Sequence, residues 1–181
     1  MRIGLMAAVL AVVVAGACTD PSLTPTGPGT FTVPVQFEAA QHAGEPHNFR
    51  TNLSGGEEVP ANDSQATGQA IFQISEDGMT LSYKLIVANI ENVTQAHIHL
   101  APTGVNGAVV AWLYPAAAPP QLIPGRTDGI LAEGVITEAS LVGSLAGAEL
   151  SVLIEEMQAG NTYVNVHTSQ FPPGEVRGQI H

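Results

Sequence analysis

The chain has 181 residues and a formal net charge of -11, with 16 acidic residues and only five lysines and arginines. Those five basic residues are scattered singly, so no basic stripe can neutralise phosphates, and nucleic acid is excluded as an expected partner. The 19 glycines, 13 prolines and 45% hydrophobic residues fit one β-rich globular domain with many turns rather than a helical bundle.

The first 17 residues have the pattern of a secretory signal peptide. Arg2 supplies an early positive charge, an apolar run extends from Ile3 to Val14, and the small residues A-G-A follow. The apolar run is too short to form a stable membrane-spanning helix. We therefore expect residues 1–17 to be a signal peptide and the protein to be exported.

Cys18 is the only cysteine and directly follows the small residues. The run AGAC resembles a bacterial lipobox, in which cleavage precedes the cysteine and the thiol carries diacylglycerol, although the usual first leucine is here Ala15. The resemblance implies that lipidated Cys18 holds the protein in the outer or cytoplasmic membrane, on the extracytoplasmic side of the cell envelope. The alternative is an ordinary A-x-A site that leaves a periplasmic or secreted protein with a free thiol.

Residues 18–47 are rich in Pro, Thr and Gly and have little apolar surface to bury, which predicts a tether. The folded domain is predicted at residues 48–181. It opens with a short strand, FRTNL, and a long turn-rich loop, SGGEEVPANDSQATG. The runs GQAIFQIS and TLSYKLIVAN then alternate apolar and polar residues on either side of an EDG turn, which predicts a β-hairpin.

Five further strands are predicted at VTQAHIHL, AVVAWLY, ILAEGVITE, TYVNVHT and EVRGQIH, with AAAPPQLIPGRTDG as a loop before the third. One short helix is predicted near residues 148–159, where apolar residues recur at helical spacing before Gly160: Leu150, Leu153, Ile154 and Met157. Many short strands with one helix predict an all-β fold, an antiparallel Greek-key β-sandwich or barrel.

Three motifs, in this order, resemble the CHRD domain: LSGGEEVP, AHIHLAPTGVNGAVV and YVNVHTSQFPPGEVRGQI. That domain is named for chordin, the extracellular antagonist of bone morphogenetic proteins, and also occurs in exported bacterial proteins. The resemblance covers Phe49 to Ile180 and implies an immunoglobulin-like or Cu/Zn superoxide dismutase-like β-sandwich. Growth-factor binding is not carried over, because the cysteine-rich modules associated with it are absent.

Three histidines are the candidate functional residues. His97 and His99 share one face of a strand, and His167 lies on the corresponding face of TYVNVHT, with aliphatic residues on the opposite face of each strand. We therefore expect the imidazoles on the exterior or the rim of the fold. Three convergent imidazoles would suit zinc or copper and leave a fourth position open.

A second interpretation needs no metal. In it the imidazoles hold APTGVNG against SQFPPG by hydrogen bonds, with Glu175, Glu57 and Glu58 as acceptors and Arg177 as an ion-pair partner. Glu175 and Arg177 are predicted to lie in contact with the histidine cluster in either case. The sequence leaves both interpretations open.

The function expected from these patterns is a non-catalytic, extracytoplasmic binding or structural module; under the first interpretation its histidine cluster binds zinc or copper. Metal binding should then be lost below about pH 6, near the pKa of free imidazole. One alternative is a metal-dependent redox enzyme, although the remaining dismutase ligands and a second cysteine are missing. Another is adhesion to an unknown protein or glycan partner.

Overall fold

The computed structural model describes residues 48–181, which form a seven-stranded antiparallel sheet with one α-helix. The strands are β1 Asn48–Ser54, β2 Thr67–Ile74, β3 Leu81–Leu100, β4 Ala108–Tyr114, β5 Ile123–Ile136, β6 Thr162–Thr168 and β7 Val176–Gln179. The helix α1 spans Leu150–Gln158, and short 3₁₀ turns lie at Gly55–Glu57, Glu138–Ser140 and Gly143–Leu145. The predicted signal peptide, Cys18 and the tether lie outside the described residues.

The sheet closes on itself through β3, its longest strand. The first half of β3 pairs with β2 and β5, and its second half pairs with β4 and β6. The order β2-β1-β7-β6-β3 returns to β2 because β2 and β3 are also paired, which makes the sheet barrel-like. The all-β antiparallel prediction is confirmed. The finer assignment to a Greek-key sandwich stays a prediction.

Two predicted boundaries were wrong around the middle of β3. The sequence suggested two strands separated near Asn89, but β3 runs on through Asn89 and Asn92, which have positive φ angles of 58° and 54°. Asparagine tolerates this conformation better than most residues. The Asn89 N–H donates to an Asp128 carboxylate oxygen at 2.7 Å, and the Gly125 N–H donates to Asn92 Oδ1 at 2.9 Å. As a result β5 begins at Ile123, within the segment AAAPPQLIPGRTDG that was predicted to be a loop.

The core lies on one side of the sheet, and the buried residues of α1 belong to it. The predicted hairpin of β2 and β3 is confirmed, and its apolar face includes Phe72 and Leu85, both fully buried. The predicted helix is also confirmed, with these residues buried: Leu150, Leu153, Ile154 and Met157. Gly160 follows with a φ of 70°, a conformation that favours glycine and ends the helix. In residues 48–181, every helix falls short of the length and apolarity that a membrane crossing would need.

Candidate metal centre

The pairing of β3 with β6 brings the three histidines together. In this antiparallel pair His97 is opposite Asn165 and His99 is opposite Tyr163, while His167 lies two residues further along β6. Alternate residues point to the same face of a strand, so all three imidazoles lie on the face away from the core. One ring nitrogen from each histidine lies within 4.8 Å of the other two. The predicted convergence is confirmed.

The expected exposure of the histidines was wrong. His97, His99 and His167 are only 2%, 8% and 7% exposed. The face was predicted correctly, but three loops cover it, at residues 58–66, 101–107 and 169–175, which we call the covering loops. Their polar side chains tie them together, since the Asn106 side-chain amide donates to the Val59 carbonyl at 2.7 Å. The Asn62 amide likewise donates to the Glu175 carbonyl at 3.1 Å.

Backbone carbonyls in two covering loops determine the tautomers of two histidines. His99 Nδ1 lies 2.9 Å from the Gly107 carbonyl oxygen, and His167 Nδ1 lies 2.8 Å from that of Pro172. A carbonyl only accepts, so each Nδ1 must carry the proton and each Nε2 must present a lone pair. The histidines do bind the loops APTGVNG and SQFPPG, but through backbone carbonyls rather than the carboxylates suggested by the sequence.

The third imidazole completes the cluster. His97 Nδ1 lies 3.3 Å from His167 Nε2, so it donates to that lone pair when no metal is bound. The Nε2 atoms of His97 and His99 are buried and have no hydrogen-bond partner within the described part of the chain. The two nitrogens of one imidazole point in different directions, so His97, whose Nδ1 faces His167, cannot direct its Nε2 at the same point. The lone pair of His99 Nε2 is therefore the one available to a ligand shared by the three rings. The 3.3 Å spacing also equals the separation of about 3.3 Å expected for two nitrogens bound to one tetrahedral zinc ion.

All three histidines are held neutral by their surroundings. Burial, followed by the neighbouring imidazoles of His167 and His99, lowers the pKa of His97 to about 3. Burial is also the main cause of the lowered pKa values of His99 and His167. A metal ion binds the neutral imidazole, so the cluster is already in the protonation state that coordination requires.

Aromatic rings flank the cluster on two sides. The Trp112 ring meets His97 edge-on, with centroids 4.3 Å apart. The Tyr163 ring stacks on His99 with centroids 4.7 Å apart and planes 8° from parallel. No pattern in the sequence predicted the contact of Trp112 with His97. These rings restrict the orientations of two imidazoles.

Arg177 and Glu175 lie near the cluster without forming the predicted bonds. The Arg177 guanidinium is 3.4 Å from the Tyr163 ring centroid and donates to Asn106 Oδ1 at 3.0 Å and the Val105 carbonyl at 2.9 Å. These acceptors are neutral, so the predicted ion pair is replaced by amide and carbonyl contacts. The Glu175 carboxylate accepts hydrogen bonds from the hydroxyls of Thr168 at 2.6 Å and Ser64 at 2.7 Å. Glu175 therefore fastens a covering loop.

The two glutamates of the GEEVP motif have different environments. Glu57 is exposed, whereas Glu58 is 7% exposed and its Oε1 has no hydrogen-bond partner among residues 48–181. Burial raises the pKa of Glu58 to about 7, although the positive charge of Arg177 acts in the opposite direction. No pattern in the sequence separates these two residues, because their exposure depends on how the loop folds over the sheet.

The comparisons with known proteins agree with the motifs. The family model described as the CHRD domain matches residues 49–180, which include all three motifs and every residue of the histidine cluster. No curated protein matches the chain, and no solved structure matches it. The family match covers most of the chain, and the chain therefore belongs to the CHRD domain family.

Proposed function

We propose that this protein is an exported lipoprotein whose CHRD domain binds one transition-metal ion through His97, His99 and His167. It acts as a non-catalytic module on the extracytoplasmic side of a membrane, anchored by lipidated Cys18. The support for export and anchoring is the sequence of the first 18 residues, with its apolar run and its AGAC motif. A sandwich related to immunoglobulin or superoxide dismutase folds is part of the same proposal.

The observation that carries the metal proposal is the pair of imidazoles fixed by backbone carbonyls. Metal-binding histidines nearly always donate their second ring N–H to a carbonyl or carboxylate, which orients the ring and directs the lone pair at the metal. His99 and His167 both have this arrangement, and their Nε2 atoms belong to one buried cluster. Three imidazole nitrogens suit zinc and copper.

Metal binding is tested by calorimetric titration of the metal-stripped protein with zinc and with copper at about pH 7.5, where the imidazoles are neutral. We expect one equivalent to bind. His99→Ala and His167→Ala should each weaken binding by about 100-fold or more, because each removes a ligand and loss of a ligand's hydrogen-bond partner alone costs about 10- to 100-fold. His181→Ala is the matched control, because His181 is exposed at the end of the chain. Absence of binding, or full affinity in both cluster variants, would contradict the proposal.

The lipid anchor is tested separately from the metal. In a bacterial host that processes lipoproteins, the wild-type protein should fractionate with membranes and its N-terminal peptide should carry a diacylglycerol mass on Cys18. A Cys18→Ser variant should appear in the soluble extracytoplasmic fraction, because serine at this position cannot carry the lipid that anchors the protein. A wild-type protein that is soluble and has a free thiol would support the ordinary cleavage site instead.

A further inference from the structure

Asn165 lies in the middle of the face that carries the histidine cluster. It is the cross-strand neighbour of His97 on β3, and Tyr163 and His167 precede and follow it on the same face of β6. Directly opposite side chains on one face of an antiparallel pair have Cβ atoms about 4.5 to 5.5 Å apart. The Asn165 side chain, which is only 3% exposed, therefore borders the cluster.

The oxygen of this side-chain amide has no partner. Asn165 Oδ1 is a buried atom without a hydrogen bond among residues 48–181, and the same is true of His99 Nε2. Both atoms are acceptors, because the Gly107 carbonyl keeps the ring proton of His99 on Nδ1. Two acceptors cannot satisfy each other, and buried polar atoms rarely remain unpaired. A cation bound between the imidazoles and the amide would satisfy both atoms at once.

The surroundings of Asn165 turn its oxygen toward the rings. A methyl group placed on Gly174 would collide with Asn165 Nδ2 and with the carboxyl group of Glu58, so these two groups border the same small space beside a covering loop. Because the amide nitrogen lies on the loop side, the oxygen of the planar amide points away from the loop. Burial lowers the pKa of His99, and the Asn165 side chain acts in the opposite direction, as an oxygen that faces the ring does.

The other oxygen-bearing side chains around the cluster are directed elsewhere. The Tyr163 hydroxyl accepts a hydrogen bond from the Gly107 N–H at 3.2 Å. Among residues 48–181, the buried carboxyl groups of Glu58 and Glu175 lie outside the group of ligand atoms within 4.8 Å of one another, which the three histidines form alone. Asn165 Oδ1 is therefore the side-chain oxygen best placed to join the ring nitrogens.

We propose that Asn165 is the fourth metal ligand and binds the ion through Oδ1. This inference rests on the proposed function, because it requires that the histidines bind a metal. Zinc accepts oxygen ligands beside imidazole, and Cu²⁺ takes mixed nitrogen and oxygen ligands. Asn165 fills the position that three imidazoles leave open, and sites closed by four protein ligands are of the structural rather than the catalytic kind. The site then has no position for a substrate, in agreement with a non-catalytic module.

The state of the fourth position can be measured in the cobalt-loaded protein, since the visible spectrum of Co²⁺ changes with its ligands. Azide binds a metal ion at a position that is open or held by water. The spectrum of the wild type should therefore stay unchanged as azide is added, whereas in Asn165→Ala azide should enter the vacated position and change the spectrum. Asn165→Asp keeps a ligand oxygen and should resist azide. A spectral change in the wild type, or equal resistance in Asn165→Ala, would overturn the inference.

Zinc affinity gives a second measurement. Asn165→Leu removes the oxygen at similar volume and should raise the zinc dissociation constant about 10-fold or more, because even loss of a ligand's hydrogen-bond partner costs that much. Asn165→Asp should bind zinc at least as tightly as the wild type, since a carboxylate oxygen is a zinc ligand. Asn52→Leu is the matched control, because Asn52 is exposed on β1, and its affinity should be unchanged.

Urea unfolding of each metal-free variant checks that it is folded, and Asn165→Ala replaces Asn165→Leu if the latter is not. Equal weakening of zinc binding by Asn165→Asp and Asn165→Leu would overturn the inference, because it would assign Asn165 a structural role without ligation. Failure of the wild type to bind either zinc or cobalt would instead refute the proposed function.

Discussion

The metal-free protein should lose unfolding free energy as the pH falls below about 6.5. The pKa of His97 is lowered to about 3 in the folded state, whereas an unfolded histidine titrates near about 6.5. Between these values only the unfolded state takes up the proton, so stability falls with decreasing pH. The contribution of neutral His97 is complete above the unfolded pKa and is lost at about 1.4 kcal/mol per pH unit as the pH approaches the folded value. His99 and His167, whose pKa values are also lowered, act in the same direction.

Glu58 opposes this dependence. Its pKa is raised from 4.5 to about 7, so the folded state keeps a proton that the unfolded state has released. Its contribution to stability is complete below the unfolded value and is lost as the pH rises toward about 7. The lowered pKa values of three histidines outweigh the raised pKa of one glutamate, so acid destabilises the protein overall. In a Glu58→Gln variant the free energy of unfolding should fall more steeply with decreasing pH.

Urea unfolding in the presence of a chelator measures this effect at about pH 7.5, 6.5 and 5.5, which span the unfolded imidazole pKa. His97→Gln should flatten the dependence, because it removes the group with the most strongly lowered pKa. His181→Gln should leave it unchanged, since His181 is exposed. A stability that does not vary across this range, or the same slope in His97→Gln as in wild type, would contradict the buried neutral cluster.

The lowered pKa values also revise an expectation from the sequence. Metal binding was predicted to be lost below about pH 6, which assumed imidazoles with ordinary pKa values. In the folded protein protons compete less well for the ring nitrogens, because burial disfavours the imidazolium form. The affinity for metal should therefore persist to a lower pH than the sequence suggested.

Replacing Phe72 with alanine should destabilise the protein by about 3 to 5 kcal/mol, the usual range for a large aromatic residue removed from a core. Phe72 is fully buried in β2, opposite Phe49 of β1 and Tyr83 of β3. Its loss leaves a cavity at the point where these three strands meet. That junction also closes the barrel-like sheet, so its neighbours have little freedom to collapse into the space.

The neighbouring residue offers a control on the same strand. Ile71 is 40% exposed and points to the opposite face of β2, so Ile71→Ala should cost far less, on the order of 1 kcal/mol or below. Chemical unfolding of the wild type and both variants measures the difference in free energy of unfolding. The slope of this free energy against denaturant concentration should be the same in all three proteins if each unfolds in two states. Equal losses of stability in the two variants would contradict the assignment of Phe72 to the core face of β2 and Ile71 to the exposed face.

The sequence predicted the local features of the site and missed the long-range ones. The shared face of His97 and His99 follows from strand geometry alone, and this prediction was confirmed. Their burial depends on the covering loops, which are held together by contacts such as Asn62 with Glu175, 113 positions apart. No sequence pattern within either segment predicts that contact. The hydrogen bonds to Gly107 and Pro172 were missed for the same reason, since a backbone carbonyl has no sequence signature.

In the fold, too, the sequence predicted the local features and missed the long-range ones. Alternating residues predicted the β2–β3 hairpin, and apolar spacing predicted α1, because each pattern lies within one element. The continuity of β3 was missed because Asn89 and Asn92 are typical turn residues. Their left-handed conformations are accommodated inside a strand only because Asp128 and Gly125 of β5 bond to them. Closure of the sheet also requires β1 to pair with β7 and β3 to pair with β6. These strands are distant in sequence, and no single segment encodes their pairing.

The covering loops affect how quickly a metal could be exchanged, as well as how tightly it is held. With the three imidazoles at most 8% exposed, an incoming ion cannot reach the ring nitrogens until one of the loops moves away from the sheet. The slow step of loading and unloading would then be an opening motion of the protein rather than the breaking of metal–nitrogen bonds. Residence time and affinity would be set by different residues, and a weak complex could still be long-lived.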